Sequence, residues 1–117
     1  MLKIEFGFGV GLDQNGNIIP EVVREAAIAG IRSRAVELFG GVTLTPTKGD
    51  WKDLDTGSVF SEEGRTLFVI VDPVSLFPHW SDATLEDRIS GLARDIKEAL
   101  NQKAVYVTRY PVQSALY

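Results

Sequence analysis

The chain has 117 residues, no cysteine and a formal net charge of −4, with 44% hydrophobic and 24% charged residues. That length suits a single domain whose core needs no covalent staple, and the missing thiols exclude disulfides, a thiolate nucleophile and cysteine-ligated zinc. The acidic balance argues against nucleic-acid and anionic-membrane partners, and the absence of a leader pattern or a long apolar run makes a cytoplasmic protein the expectation.

Leu2 to Gly11 alternates as a strand does. Leu2, Ile4, Phe6, Phe8 and Val10 share one face, and Lys3, Glu5, Gly7, Gly9 and Gly11 share the other. Glycines weaken a strand, but they strip one face to bare backbone and let something approach closely. Asp13-Gln14-Asn15-Gly16-Asn17 is dense turn chemistry. Pro20 suits the first turn of a helix that runs to Phe39, with Val23, Ala27, Ile31, Ala35 and Leu38 as its buried stripe. Gly40-Gly41 stops it.

A second strand is predicted from Val42 to Thr47, followed by a polar connection from Lys48 to Gly64 that extends the strand, forms a hairpin arm or folds over the sheet. A third strand spans Arg65 to Asp72, and its unbroken apolar run Leu67–Val71 suggests burial on both faces. After a Pro-aromatic loop holding His79, Thr84 is read as the N-cap of a second helix with the stripe Leu85, Ile89, Leu92, Ile96 and Leu100. A last strand runs from Ala104 to Tyr110, closed by Pro111.

The order β-α-β-β-α-β predicts an α+β, ferredoxin-like domain: a four-stranded antiparallel sheet with both helices on one face. The other face then shows Lys3, Glu5, Gly7, Gly9, Thr43, Thr45, Tyr106, Thr108, Tyr110 and alternate residues of the apolar third strand. Its centre is too apolar to be left in water, so a second copy of the chain is the expected cover, in a dimer or trimer. A cleft between copies would be lined by Gly7, Gly9, Thr43, Thr45, Trp51, Tyr106 and Tyr110, a surface suited to a small polar or nucleotide-like ligand. Arg109, at a strand end, could hold an anionic group on the rim.

Other motifs have ordinary explanations. Gly7-x-Gly9-x-Gly11 lies within the strand and not at a strand-to-helix turn, so it is not read as a dinucleotide fingerprint. Asp13-x-Asn15-Gly16-Asn17 and Asp53-x-Asp55-x-Gly57 lack the closing acid of a calcium loop and are read as turns. The lone His79 has no legible triad, no three-ligand metal set exists, and no cofactor is expected. Asp50, Asp53 and Asp55 beside Trp51 form the densest acid–aromatic group, whose carboxylates and ring could serve a cationic ligand.

Phe39-Gly40-Gly41-Val42-Thr43, Gly49-Asp50-Trp51-Lys52-Asp53 and Arg65 to Val71 together resemble a family of small bacterial and phage domains of unknown function. Those domains share an F-x-G-h-T strand (h apolar), a G-x-W-x-D turn and an apolar strand beginning near a basic residue. In size and element order the chain is also similar to the phage S-adenosylmethionine lyases. That likeness implies a trimer with its site between subunits and an active-site glutamate and tyrosine. The nearby positions here hold Phe39, Asp50, Trp51 and Asp53. Three readings are therefore expected: a non-enzymatic oligomeric module binding a small ligand at its interface, a lyase with Asp50 or Asp53 as its acid or electrostatic partner and Tyr106 or Trp51 as its aromatic wall, or a purely structural assembly subunit.

Overall fold

The structure is a computed structural model and describes residues 1–52, 54–71 and 82–113. Its elements are β1 (Leu2–Gly9), α1 (Glu21–Phe39), β2 (Thr43–Lys52), β3 (Val59–Val71), α2 (Asp82–Ala99) and β4 (Tyr106–Pro111). The four strands form one sheet in the order β2-β3-β1-β4, and every neighbouring pair is antiparallel. This is the ferredoxin-like arrangement, with β1 and β3 side by side in the centre.

One face of the sheet carries the core. Ile4, Phe6, Phe8 and Val10 project from β1 and the residues just after it, and Leu67, Val69 and Val71 project from β3. Against them lie Ile28, Ile31, Ala35, Leu38 and Phe39 of α1, and Leu85, Ile89, Leu92 and Ile96 of α2 with Leu100 just beyond it. Phe6 is fully buried and meets Phe39 at a ring separation of 6.4 Å. Burying one such ring is worth about 1.5–3 kcal/mol, which is why period-2 and period-3.6 stripes fix the faces so firmly.

Three expectations are corrected. The buried stripe of α1 is rotated away from Val23, which is 50% exposed; Ile28 and Phe39 are buried in addition to the predicted Ile31, Ala35 and Leu38. Thr84 does not cap α2, because the helix already begins at Asp82. The apolar run of β3 is not buried on both faces: Leu67, Val69 and Val71 are enclosed, whereas Ile70 is 39% exposed and Phe68 half-buried.

The polar connection resolves into a hairpin arm. β2 and β3 pair from Thr43↔Phe68 out to Lys52↔Val59, and the chain turns back through Gly57 at φ 75°. That positive φ suits glycine. The arm pairs with itself and leaves the sheet's open face uncovered. The Asp13 turn is closed by its own side chain, which accepts from the N–H groups of Asn15 at 2.9 Å and Asn17 at 3.0 Å. Those bonds, Asn17's first, hold the Asp13 carboxyl below its ordinary pKa. His79 and the loop around it lie outside the described residues.

Candidate functional site

The registers of the three strand pairs arrange the open face in rows. Tyr110, Lys3 and Ile70 form one row; Thr108, Glu5, Phe68 and Thr43 the next; Tyr106, Gly7, Thr66 and Thr45 a third. Gly9, Gly64 and Thr47 follow. Side-chain alternation puts every member of a row on the same side of the sheet.

The first two rows are joined by a polar network. The Tyr110 hydroxyl donates to Glu5 Oε1 at 2.8 Å, and Lys3 Nζ lies 3.3 Å from the same oxygen. The Lys3 ammonium also sits 4.2 Å from the centroid of the Phe68 ring and 5.7 Å from that of Tyr110. A cation over two ring faces is attracted by their quadrupoles. The Tyr110 hydroxyl first, and Lys3 second, hold the Glu5 carboxyl below its ordinary pKa. Tyr110 and Glu5 in turn hold Lys3 above its own.

Glu62 lies where the bare backbone of β1 leaves room. A Cβ placed on Gly9 would come within 2.7 Å of Glu62 Cδ, so this side chain rests where Gly9 has none. Glu62 Oε1 accepts from the Leu12 N–H at 3.3 Å. Gly64 has a different reason for being glycine: a Cβ there would meet the Phe8 carbonyl oxygen at 2.8 Å and Thr47 Oγ1 at 2.9 Å.

Beside the open face is an apolar cleft of about 370 Å³, lined by Phe39, Gly40, Gly41, Val42 and Thr43 on one side and Phe68, Val69 and Ile70 on the other. Its origin is topological. β2 starts at Thr43 opposite Phe68, so the end of β3 has no β2 partner. Gly40, at φ 84°, turns the chain off α1 with its N–H on the Val36 carbonyl at 2.8 Å. A second groove lies along the arm and is lined by Pro46, Thr47, Lys48, Glu63 and Arg65.

The predicted site residues divide accordingly. Gly7, Thr45 and Tyr106 share a row, with Thr43, Tyr110 and Gly9 in rows near them. Asp50 does not join them within one chain. It stands five residues beyond Thr45, about 17 Å along the hairpin and on the opposite face, where its carboxylate accepts from the Ser61 hydroxyl. Arg109 also belongs to the helix side, paired with Glu86 of α2. Trp51 is paired in register with Phe60 near the end of the arm, and Asp53 lies outside the described residues. Sequence reasoning placed Lys3 and Glu5 on this face without selecting them, and it passed over Phe68 and Glu62. The alternation of β1 was signal enough for the first two; Glu62 needed the β1–β3 register.

No family model matches the chain, and no curated protein matches it. Among solved structures it is similar to a phage SAM lyase in complex with S-methyl-5′-thioadenosine, at 18% identity and a TM-score of 0.61 over 93% of this chain and 79% of that one. The apo form of a phage SAM lyase matches at 17% identity and a TM-score of 0.59, over 99% and 91% of the two chains. The periplasmic divalent cation tolerance protein CutA from Archaeoglobus fulgidus matches at 9% identity and a TM-score of 0.55, over 99% and 88%. At these identities the likeness is one of fold. Among the described residues no group of three or more His, Asp or Glu side chains could hold a metal ion, and no helix is long and apolar enough to cross a membrane.

Proposed function

We propose that the chain is a small self-associating module whose open sheet face is the interface between copies, with a small polar or nucleotide-like ligand bound in a cleft at that interface. The observation that carries this reading is the character of the face. Ile70 is 39% exposed, Phe60 37% and Tyr106 78%, all on the side of the sheet that no helix covers. Phe68 and the ordered Lys3–Glu5–Tyr110 network lie among them. Exposed apolar side chains interleaved with paired polar groups are the composition of an interface. Gly7 and Gly9 let a partner or ligand reach the backbone, Thr43 and Thr45 supply hydroxyls, and Tyr106 and Tyr110 supply ring faces. In this reading the arm carrying Asp50 meets Tyr106 across a boundary between chains.

Native mass spectrometry of the purified protein tests both halves, since it reports chain stoichiometry and any retained small molecule together. A ligand-free monomer overturns the reading. An oligomer that loses its mass on Ile70→Glu supports the face, and saturable binding of methylthioadenosine lost on Tyr106→Ala supports the ligand.

A second reading is favoured by the likeness to the phage SAM lyase bound to S-methyl-5′-thioadenosine. The chain would then release methylthioadenosine and homoserine lactone from S-adenosylmethionine. The substrate's own carboxylate attacks Cγ, the C–S bond breaks, and its electron pair leaves with the sulfur. No proton is transferred, so the protein need only fold the substrate into the attacking geometry and bind its sulfonium with a carboxylate. Asp50 or Asp53 would do this from the arm, and Glu62 is an additional candidate. Incubation with S-adenosylmethionine decides it: accumulation of both products supports the lyase, and substrate that persists through the incubation removes it.

A further inference from the structure

The outer surface of α1, directly opposite its buried stripe, carries branched aliphatic residues where a solvated helix carries charge. Val22 is 82% exposed and Val36 48% exposed, and Ile18 just before the helix is 80% exposed. Between them the same line holds the exposed Ala26, Ala29 and Ser33. The spacing from Val22 through Ala26, Ala29 and Ser33 to Val36 is four, three, four, three, the seam by which one helix packs along another. Within the described residues this seam has no partner.

Gly30 lies on the border of the seam. A glycine in the middle of a helix is unfavourable relative to alanine. Yet a Cβ there would meet nothing within 4 Å, so the chain's own packing does not require it.

The charges flanking the seam select a partner and a register. Glu25 and Arg32 border it on one side, and Val23 and Gly30 on the other. Glu25 has only a long contact of 3.7 Å with Arg24, and Arg32 has no ion pair among the described residues. In a parallel, in-register pairing each Glu25 falls beside the partner's Gly30 and finds no opposite charge. An antiparallel pairing with Ala26 against the partner's Ala29 sets Val22 on the partner's Ser33 and Val36 near the partner's Ile18. In that register Glu25 faces the partner's Arg32, Arg32 faces the partner's Glu25, and Val23 fills the space left by the partner's Gly30. Moving the register by one heptad sets Glu25 against the partner's Glu25 in one direction and Arg32 against the partner's Arg32 in the other. We propose that α1 packs antiparallel on α1 of a second copy of this chain, in the register that pairs Glu25 with the partner's Arg32. This contact lies on the face of the domain away from the open sheet, so it would join open-face assemblies in pairs.

Reciprocal charge exchange followed by sedimentation equilibrium tests it. The wild type is expected to show an equilibrium that doubles its mass. Arg32→Glu alone, or Glu25→Arg alone, replaces two attractive pairs by two repulsive ones and should weaken the doubling about tenfold. The Glu25→Arg/Arg32→Glu double variant should restore it, and an equimolar mixture of the two single variants should re-form the doubled species. Both positions are exposed, so unchanged circular dichroism is expected, and the mixture reports on the contact even if one variant is less stable. A wild type with no doubling up to about 1 mM overturns the contact. So does a doubling indifferent to either single change, or one that neither the double variant nor the mixture restores. Ile70→Glu separates the two interfaces: if the open-face assembly fails, the α1 doubling persists as a dimer of single chains.

Discussion

Gly9 and Gly64 are neighbours in the β1–β3 register, and the structure predicts that alanine has unequal consequences at the two positions. At Gly64 the new Cβ would lie 2.8 Å from the Phe8 carbonyl oxygen, which is held in the centre of the sheet, and 2.9 Å from Thr47 Oγ1. Backbone in a central strand cannot retreat without disturbing its ladder, so the cost is that of overpacking, about 1–3 kcal/mol. At Gly9 the obstruction is the Glu62 carboxylate, with Cδ at 2.7 Å and Oε2 at 3.1 Å, the far end of a flexible side chain on an exposed arm. Swinging it away loses the bond from the Leu12 N–H, about 0.5–1.5 kcal/mol, and replacing a strand glycine returns about 0.5–1 kcal/mol. The net effect at Gly9 is within about 1 kcal/mol. Urea and thermal unfolding of both variants measure the contrast. Gly64→Ala should lower Tm by roughly 4–12 °C, at about 4 °C per kcal/mol for a domain of this size, while Gly9→Ala stays near the wild type. Equal losses at the two sites would refute the distinction between a backbone and a side-chain obstruction, and a neutral Gly64→Ala would refute the close approach itself.

Phe6→Ala removes a fully buried ring from the centre of the core and should cost about 3–5 kcal/mol in chemical denaturation. Tyr110→Phe removes the hydroxyl that holds Glu5 below its ordinary pKa, so the Glu5 carboxyl should titrate higher in the variant by NMR. The sign of the linkage follows: a carboxyl depressed in the folded state adds stability that is present above its unfolded pKa and is lost as pH falls through the folded one. The wild type should therefore lose more stability than Tyr110→Phe on acidification through that interval, and parallel acid profiles would show that the bond does not act on Glu5. Ile70→Glu should leave the monomer's unfolding free energy within about 0.5 kcal/mol, since the residue is 39% exposed, while abolishing assembly through the open face. An unchanged sedimentation profile would remove that face as an interface.

Much of the fold was legible because its signals are local. β1 separates Ile4, Phe6 and Phe8 from Lys3, Glu5 and Gly7 by alternation alone, and both helices announce themselves by stripes such as Leu85, Ile89, Leu92 and Ile96. The errors are also local in kind. Val23 was placed in the core because a stripe read by spacing can rotate one position without breaking period 3.6, and only the sheet beneath α1 settles which line of residues faces inward. Capping chemistry points to Thr84 as the start of α2, whereas the helix begins at Asp82, a boundary that capping preferences alone do not fix. The arm from Lys48 to Gly64 is too polar to carry a strong strand pattern, and its pairing comes from β3 running antiparallel alongside it.

For the candidate site, the sequence determined which residues share the open face, because side-chain alternation is a property of each strand by itself. It could not determine which of them meet. Glu62 rests over Gly9 and Tyr110 reaches Glu5 because three separate registers align residues far apart in the chain, and Asp50 parts from Tyr106 for the same reason. Register is fixed by the burial of whole strands against the helices, where a one-residue slip would turn every side chain to the wrong face. The bare backbone of β1 could be read from its glycines, but only the folded sheet decided that a carboxylate lies against it.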